Sequence, residues 1–328
     1  MITQQLAWLD GHSLPVADGT VGPILRAGQA AGALDLPLPG SGRTWERWES
    51  LAELSALDLV LGRMVEAHAD AVAILAELGG APSEGLWGVW ASEPPSARVD
   101  AEPGADSWTL TGRKAWCSGA LVLDHALVTA HAGDGRRLFA VEVRDVMPIP
   151  GSWSAVGMAA SGSVSVDLQG VPARAIGGPQ AYLDRPGFWH GGAGVAACWY
   201  GGGLGAARLL LAAVREGSPE PHALAHLGAV DAIVTGLKAH LLAAAAEIDS
   251  DPGDMTAARL RATRLRARVE AGAAEILDRV GRALGAGPLC LDPLQAQRAA
   301  DLPVYLRQSH AERDLAGLGE LAAQEATW

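Results

Sequence analysis

The hydrophobic period of this sequence changes twice, and those changes constrain the fold more than any other feature. Apolar residues recur at intervals of three and four from residue 45 to residue 78, which predicts one helix that ends at Gly79. From Gly85 the period shortens to two and turn residues recur, a pattern typical of short strands. The helical period returns after Gly187 and persists to the end of the chain. The order of segments is therefore helical, then β, then helical.

The middle segment carries the strand signals. Apolar stretches at 125–131 and 137–143 flank Gly-Asp-Gly at 133–135, a sequence typical of a hairpin turn. Residues 163–168 alternate between apolar and polar side chains, and residues 108–111 form another strand-like run. Because no helical segment separates these strands, the pattern predicts an antiparallel β-barrel or sandwich and not a fold of alternating strands and helices.

Two apolar stripes predict the long helices of the last segment. The first stripe contains Leu227, Val230, Val234, Leu237 and Leu241. The second stripe contains Leu265, Val269, Gly272, Ile276 and Val280. We interpret the glycine-rich stretch 187–207 as a loop that leads into a tightly packed helix. We expect a final helix over 294–318, begun or kinked in part by Pro303.

The sequence therefore predicts an α+β multidomain chain of three parts. They are an N-terminal helical region over residues 1–84, a central antiparallel β-barrel or sandwich domain over 85–184, and a C-terminal antiparallel helical bundle over 185–328. With 328 residues, of which 49% are apolar, the chain is long enough to bury a large core. An apolar fraction of this size excludes a disordered chain.

The charge balance and the cysteines exclude several classes of function. The formal net charge is −12, so the chain lacks the positive field that nucleic acids and anionic membranes attract. Cys117, Cys198 and Cys290 are widely separated and odd in number, which gives neither a disulfide framework nor a zinc pattern. The N-terminus has no basic region before an apolar run, so we expect no signal peptide. We predict a cytoplasmic protein with no metal, no nucleic-acid partner and no inserted membrane segment.

Two motifs in the β segment resemble the middle domain of acyl-CoA dehydrogenases. The first, at 86–94, reads Leu-Trp-Gly-Val-Trp-Ala-Ser-Glu-Pro. The second, at 108–120, reads Trp-x-Leu-x-Gly-x-Lys-x-Trp followed by Cys-Ser-Gly-Ala. A later run at 153–163, with Val-Pro at 171–172, resembles the strand and exit that close the same domain. The order of helical and β segments also matches, so the resemblance covers nearly the whole chain.

This resemblance implies a flavoprotein that binds FAD. By the match, Ala91, Ser92 and Ser118 present backbone and hydroxyl groups to the isoalloxazine, and Trp116 packs against its rings. Arg215 follows the first bundle helix, where the family often supplies an arginine to the FAD pyrophosphate of a neighbouring subunit. The resemblance also implies a homodimer or homotetramer built through the bundle, where small residues at 201–207 let helices approach closely.

The reaction that the resemblance implies is the α,β-dehydrogenation of an acyl-CoA thioester, with hydride transfer to flavin N5. In the family a glutamate takes the α-proton, but the two regions where the family places it, 307–310 and 194–198, contain no glutamate here. His310 and Glu312 are the local alternatives, since both side chains can accept a proton. They are two residues apart, which is about 200° on a helix, so both cannot face the flavin.

Three functions therefore stay open at the level of sequence. The first is an FAD-dependent acyl-CoA dehydrogenase with a relocated or substituted base, whose partners are an acyl-CoA or related small molecule and an electron-accepting flavoprotein. The second is a flavin-dependent monooxygenase or oxidase of the same fold, in which reduced flavin meets oxygen and the thioester base is unnecessary. The third is a non-catalytic paralogue that binds an acyl-CoA or a partner subunit.

Overall fold

The chain forms an α+β fold in which a β-barrel lies between helical segments of the sequence. The computed structural model describes residues 6–105, 107–217 and 220–325. The helices are α1 (Val21–Ala30), α2 (Thr44–Leu57), α3 (Leu59–Glu77), α4 (Pro186–Glu216), α5 (Pro221–Ser250), α6 (Met255–Leu284), α7 (Ala286–Leu291), α8 (Pro293–Leu306) and α9 (Glu312–Glu325). The strands are β1 (Trp87–Trp90), β2 (Val99–Pro103), β3 (Trp108–Cys117), β4 (His125–Ala132), β5 (Gly135–Glu142), β6 (Met147–Ile149) and β7 (Val164–Ile176). The predicted α+β class is confirmed, and of the two forms predicted for the central sheet, barrel or sandwich, the structure has the barrel.

The described residues divide into two compact units. The barrel unit contains the described residues of 6–36, 64–155 and 159–188, and the bundle unit contains those of 37–63, 156–158 and 189–325. Each unit buries apolar side chains of its own, such as Leu127 in the barrel unit and Leu265 in the bundle unit. The division into three domains at residues 84 and 184 stays a prediction.

The sheet of the barrel unit closes on itself. Strands β4, β2, β3, β7 and β5 form a ring in which β5 pairs again with β4, while β1 adds to β4 and β6 adds to β7. Five of the pairings between described strands are antiparallel, but β1–β4 and β2–β4 are parallel. The prediction of a wholly antiparallel sheet is therefore wrong at β4. Parallel neighbours need a crossover connection, and the β2–β3 hairpin provides it between β1 and β4.

The hairpin predicted from Gly-Asp-Gly is confirmed as β4–β5. Ala132 pairs with Gly135, which leaves Gly133 and Asp134 as a two-residue turn. Gly135 has φ +124°, a conformation that glycine adopts at little cost. An ion pair between Arg137 and Asp134 adds a further contact across the turn.

The helix predicted over 45–78 is two helices, α2 and α3. Asp58 interrupts it with an extended backbone, at φ −153° and ψ 124°. The Asp58 carboxylate accepts a hydrogen bond from the Leu61 backbone N–H at 3.0 Å, so it caps the first turn of α3. The apolar period continues across the interruption, and for this reason the periodicity alone does not reveal it.

Helix α4 contains the glycine-rich stretch 187–207, so the interpretation of part of that stretch as a loop is wrong. The expected tight packing is confirmed. A Cβ atom at Gly201 would lie 2.2 Å from the carbonyl oxygen of Ala52, and one at Gly205 would lie 2.5 Å from that of Ala56. Both carbonyls belong to α2. The glycines therefore let the backbones of α4 and α2 approach more closely than any side chain would permit.

The final helix predicted over 294–318 is also two helices, α8 and α9. Pro303 lies inside α8 and does not end it, and the chain leaves helical geometry after Leu306. Ala311 has φ +51°, and the Ser309 hydroxyl accepts a hydrogen bond from its backbone N–H at 3.0 Å. The Asp314 carboxylate accepts another from the His310 N–H at 2.9 Å. These side chains replace the helical hydrogen bonds at the break.

The two predicted apolar stripes lie on α5 and α6. All five residues of the second stripe are buried, as are Val230, Leu237 and Leu241 of the first. Helices α4 and α5 are long and apolar enough to cross a membrane by length and composition, and 72% and 33% of their most apolar windows are buried within the chain. The core helices of soluble proteins pass the same test, so the cytoplasmic location stays a prediction.

A buried carboxylate on α8 holds the segment around Met158. Asp301 is 1% exposed, and its Oδ1 accepts hydrogen bonds from the Met158 backbone N–H at 2.5 Å and from the Gln297 amide at 2.7 Å. A Cβ atom at Gly157 would lie 2.1 Å from the Ala300 carbonyl oxygen, so the segment lies directly on the helix. Burial raises the pKa of Asp301 to about 6, because the two hydrogen bonds offset only part of the desolvation.

The close approach of α4 to α2 predicts that Gly201→Ala destabilises the protein. The new Cβ would overlap the Ala52 carbonyl, and overpacking of this kind costs on the order of 1–3 kcal/mol. Gly228→Ala is the matched control, because Gly228 lies in α5 with open space around it. Alanine there should stabilise the helix by about 1 kcal/mol. Urea unfolding measures both changes, and two variants of equal stability would contradict the packing of α4 on α2.

Neutralising Asp301 should change how stability depends on pH. A carboxyl whose folded pKa is raised contributes stability below its unfolded value of 3.8, and this contribution is lost as the pH rises through about 6. We therefore expect Asp301→Asn to be more stable than the wild type at pH 8 and to lose less stability between pH 4 and pH 7. Thermal unfolding across this range measures the difference, with the exposed Asp278→Asn as control. Parallel profiles for wild type and Asp301→Asn would show that Asp301 does not titrate there.

Candidate functional site

The second motif displays a tryptophan on the surface of the barrel unit. Trp116 is 56% exposed, whereas Ala115 and Cys117 on either side are buried. Its φ is +59°, a left-handed conformation that residues other than glycine rarely adopt. The pairing of β3 with β7 shifts register between Lys114 and Cys117, so Trp116 lies in an irregular stretch of the strand. Backbone strain of this kind clusters at ligand-binding positions, and an exposed indole offers a flat apolar face.

The turn after Trp116 requires its glycine. Gly119 has φ +76°, and a Cβ atom there would lie 2.5 Å from the Met64 methyl group and 2.7 Å from Leu123. The Gly119 N–H donates to the Ser161 carbonyl oxygen at 2.8 Å. The glycine of the motif therefore fixes the path of the chain on which Trp116 and the next serine lie.

Three buried serines form a chain of hydroxyl groups beside this turn. Ser118 Oγ lies 2.8 Å from Ser163 Oγ, which lies 2.6 Å from Ser161 Oγ. All three side chains are buried. A hydroxyl can either donate or accept, so the direction of this chain decides whether Ser118 Oγ keeps its hydrogen for another partner.

The first motif contributes a buried hydroxyl that has no hydrogen-bond partner among the residues the structure describes. This group is Ser92 Oγ, which lies just after β1, next to the half-buried Ala91. Trp90 Nε1 donates to the Ser118 carbonyl oxygen at 3.0 Å, which ties the first motif to the second. A buried hydroxyl without a partner costs about 1–3 kcal/mol, so Ser92 Oγ is available to an acceptor atom of a bound molecule.

Lys114 lies inside the barrel, with 1% of its side chain exposed. Its ammonium donates to the carbonyl oxygen and the hydroxyl of Thr129, both at 2.7 Å, and lies 3.4 Å from Glu93 Oε1. These three acceptors match the three hydrogens of an ammonium group. Burial lowers the pKa of Lys114 to about 8, and the charge of Glu93 opposes that change.

Glu93 receives contacts from four residues. The Thr129 hydroxyl donates to Oε1 at 2.9 Å, and Oε2 lies 2.5 Å from Arg136 and 3.3 Å from His131. Burial acts to raise the pKa of Glu93, but the charges of Lys114 and Arg136 and the Thr129 hydrogen bond together act against it, and the pKa lies below its ordinary value. We refer to Lys114, Glu93, Thr129, His131 and Arg136 as the barrel network.

The two candidate bases lie in the bundle unit, at the junction of α8 and α9. His310 is exposed, and its Nδ1 lies 3.3 Å from the Asp314 carboxylate. Glu312 is exposed in the first turn of α9. An exposed histidine that pairs with a carboxylate in the first turn of the next helix is typical of a solvated helix end, and the catalytic roles of His310 and Glu312 stay predictions.

Arg215 is exposed in the last turn of α4, and its contact with a cofactor phosphate also stays a prediction. Within 6–105, 107–217 and 220–325, no three residues of His, Cys, Asp and Glu lie together in a way that could hold a metal ion. The predicted flavin-ring residues Ser92, Trp116 and Ser118 belong to one connected part of the barrel unit. The three residues that the resemblance assigns to the flavin ring therefore lie together in the barrel unit.

Sequence reasoning assigned no role to the buried Lys114 and Asp301 or to the half-buried Glu93. Lys114 and Glu93 lie inside the quoted motifs, but a charged residue in a short strand or loop is usually exposed. One feature of the sequence could have indicated a role for Lys114 and Glu93: each lies in one of the two motifs that resemble a single binding site.

The barrel site offers an aromatic face, an unpaired hydroxyl and a chain of serine hydroxyls. A flat ring system with several acceptor atoms fits this donor set, since it can stack on Trp116 while accepting from Ser92 and Ser118. The isoalloxazine ring of a flavin has that chemistry.

No protein-family model matches this sequence, and no curated protein sequence matches it. Solved structures do match. The TdsC structure from Paenibacillus sp. A11-2 with FMN and indole has a TM-score of 0.78 at 19% identity and covers 91% of this chain and 89% of that chain. TdsC is described as a dibenzothiophene monooxygenase.

Two further structures agree with this likeness. KijD3 in complex with FMN and a dTDP-linked amino keto sugar has a TM-score of 0.81 at 17% identity, over 98% of this chain and 90% of that chain. The methanesulfinate monooxygenase MsuC from Pseudomonas fluorescens has a TM-score of 0.77 at 18% identity, over 93% and 91%. Likeness at such low identity establishes the fold alone, and this chain has the acyl-CoA dehydrogenase-like fold that these structures share.

Proposed function

We propose that this chain is a flavin-dependent oxygenase that holds FMN on its barrel unit and oxidises a small organic molecule. One observation carries the proposal: the buried Ser92 hydroxyl, which has no partner among the described residues, lies in a segment tied to the exposed Trp116 turn. The fold shared with two FMN complexes, those of TdsC and KijD3, supports the same function.

The residues of the barrel site have separate tasks in this proposal. The Trp116 indole would stack on the ring and exclude water from it. The Ser92 and Ser118 hydroxyls, with the backbone at Ala91, would donate to acceptor atoms of the ring and fix its orientation. When bound, the flavin supplies two-electron chemistry and, once reduced, reaction with oxygen.

FMN has more support than FAD in this chain. The sequence resemblance assigns the FAD pyrophosphate to Arg215, but Arg215 is exposed and the aromatic-glycine pair that usually follows it in the family is missing. The family's glycine-rich phosphate motif is reduced to Gly-Ala-Gly-Pro at 285–288. TdsC and KijD3 are both described with FMN. We therefore replace the FAD expected from sequence by FMN in the proposal.

Acyl-CoA dehydrogenation has less support than oxygenation. It needs a base that removes the α-proton, and the family's glutamate is missing from 307–310 and from 194–198. The substitutes, His310 and Glu312, are exposed. An oxygenase that starts from reduced flavin has no such requirement, so the same residues are compatible with it.

The proposed substrate is a small molecule. TdsC is described with indole and KijD3 with a nucleotide-linked sugar, which supports this class of partner. The net charge of −12 gives no attraction for nucleic acid. A homodimer or homotetramer built through the bundle stays part of the proposal, and light scattering of the purified protein measures it.

The unpaired hydroxyl predicts an unusual pair of effects for Ser92→Ala. Removing a buried hydroxyl that has no protein partner should leave the flavin-free protein as stable as the wild type or more so. The same change should weaken FMN binding by about fivefold, which corresponds to one neutral hydrogen bond of about 1 kcal/mol. Ser118→Ala should weaken FMN binding to a similar extent.

Thermal unfolding without flavin and fluorescence titration with FMN and with FAD measure these effects. Ser107→Ala is the matched control, because Ser107 is an exposed serine of the same unit. The proposal expects FMN to bind and Ser107→Ala to bind it as the wild type does. A wild-type protein that binds neither flavin would overturn it.

An experiment with two arms distinguishes the oxygenase from the dehydrogenase. In one arm, protein with chemically reduced FMN is mixed with oxygenated buffer and a panel of small aromatic, sulfur and amino-sugar compounds. In the other, protein with oxidised FMN is mixed anaerobically with acyl-CoAs of several lengths. We expect an oxygenated product in the first arm and no loss of the oxidised flavin band in the second. Rapid bleaching by an acyl-CoA, lost in His310→Gln or Glu312→Gln, would favour the dehydrogenase instead.

A further inference from the structure

Lysine is rare in this chain, and its placement is informative. Of the 25 basic residues only Lys114 and Lys238 are lysines, and every other basic position is arginine. Lys238 is exposed on α5, whereas Lys114 is buried in the barrel. A guanidinium is a planar fork, but an ammonium is a compact point charge with three donors. Only the ammonium matches the three acceptors around Lys114, so position 114 needs lysine although nearly every other basic position is arginine.

The contact of Lys114 with Glu93 joins the two motifs that carry the flavin site. Glu93 follows Ser92 directly, so fixing its carboxylate fixes the segment that carries the unpaired hydroxyl. Lys114 precedes Trp116 by two residues on β3, at the point where the register shifts. Because Thr129 on β4 bonds to both side chains, the two motifs are held against a third strand of the ring.

The barrel network also carries a net positive charge. Lys114 and Arg136 contribute two positive charges, and Glu93 is the negative group that faces both of them. His131 lies 3.3 Å from the same carboxylate and adds positive charge whenever it is protonated. A positive charge buried in protein acts over a longer distance than one exposed to water.

We propose that Lys114 and Glu93 form the positioning pair of the flavin site. The pair holds Ser92 and Trp116 in their relative places, and the positive charge left over in the network favours the reduced, negatively charged flavin. This inference rests on the proposed function, since it concerns the same site. Neither residue touches the ring: both position the groups that do, and the positive charge of Lys114 adds an electrostatic effect at longer range.

The chain offers a closely matched control for this pair. Arg113 and Asp167 form an ion pair one position away on β3, at 2.7 Å, but their side chains are 54% and 30% exposed. The Arg113 pair therefore has the same kind of contact on the same strand, but it is exposed, and it joins β3 to β7 instead of joining the two motifs. Exposed pairs of this type contribute about 0–1 kcal/mol.

The first experiment measures FMN affinity and stability together. Lys114→Met, Glu93→Gln, the double variant and the control Arg113→Gln are titrated with FMN, and their folding is followed by circular dichroism. We expect FMN to bind about tenfold more weakly to each single variant at a temperature where the variant is still folded. The control should bind as the wild type does. The double variant should be more stable than Glu93→Gln, because that single variant leaves the buried Lys114 charge without its carboxylate partner.

The second experiment measures the midpoint potential of the bound flavin, because a loss of structure alone would not shift it differently in the two single variants. The midpoint potential of the bound flavin is determined with saturating FMN for each protein that binds it. Lys114→Met removes a positive charge and should lower the potential, whereas Glu93→Gln leaves the positive charge of Arg136 in place and should not lower it. Equal downward shifts in both variants would mean that the pair has a structural role only.

The outcomes separate the two proposals. A wild-type protein that binds no flavin would overturn the proposed function and this inference with it. A wild-type protein that binds FMN, with single variants that are folded and bind it equally well, would overturn this inference alone. If Lys114→Met does not fold, Glu93→Gln and the double variant decide the matter by the same titration.

Discussion

The burial of the Lys114 ammonium is the constraint on which the barrel site depends. An ion removed from water costs several kcal/mol unless well-placed partners replace its hydration. The partners of Lys114 come from β4 and from the segment after β1, so three separate parts of the chain must be in register before the charge is satisfied. The same register places the Ser92 hydroxyl and the Trp116 turn. The barrel therefore cannot lose its polar interior without also losing the geometry of its candidate site.

Much of the fold follows from periodicity, and the corrections have local causes. The hairpin at Gly133 and the apolar face of α6 could be predicted because both depend on residues that are close together in the sequence. The break at Asp58 does not, because one carboxylate capping one N–H interrupts a helix without changing the apolar period. The helical state of residues 187–207 depends on the carbonyls of α2, which become visible only when the two helices are packed. The parallel pairing of β4 is likewise a property of the whole sheet.

The candidate site, like the fold, has features that the sequence predicts and features that only the structure shows. Ser92, Trp116 and Ser118 could be predicted because their motifs resemble a known family, and the resemblance needed no three-dimensional information. The exposed fraction and left-handed backbone of Trp116 could not be read from sequence, since they arise from the register shift between β3 and β7. The barrel network was hidden for another reason. A lysine between an arginine and an alanine is expected to be exposed, and only the structure shows that Lys114 is buried in the barrel.

The scarcity of lysine in this chain has a practical consequence. An amine-reactive reagent finds two lysine side chains, one exposed on α5 and one with 1% of its surface accessible. Lys238 reacts at the rate of an open side chain, whereas Lys114 reacts only while the strands around it are separated. The ratio of modified Lys114 peptide to modified Lys238 peptide, followed over time by mass spectrometry, therefore measures how often the barrel opens spontaneously. The chain contains its own probe and its own reference, without an engineered label.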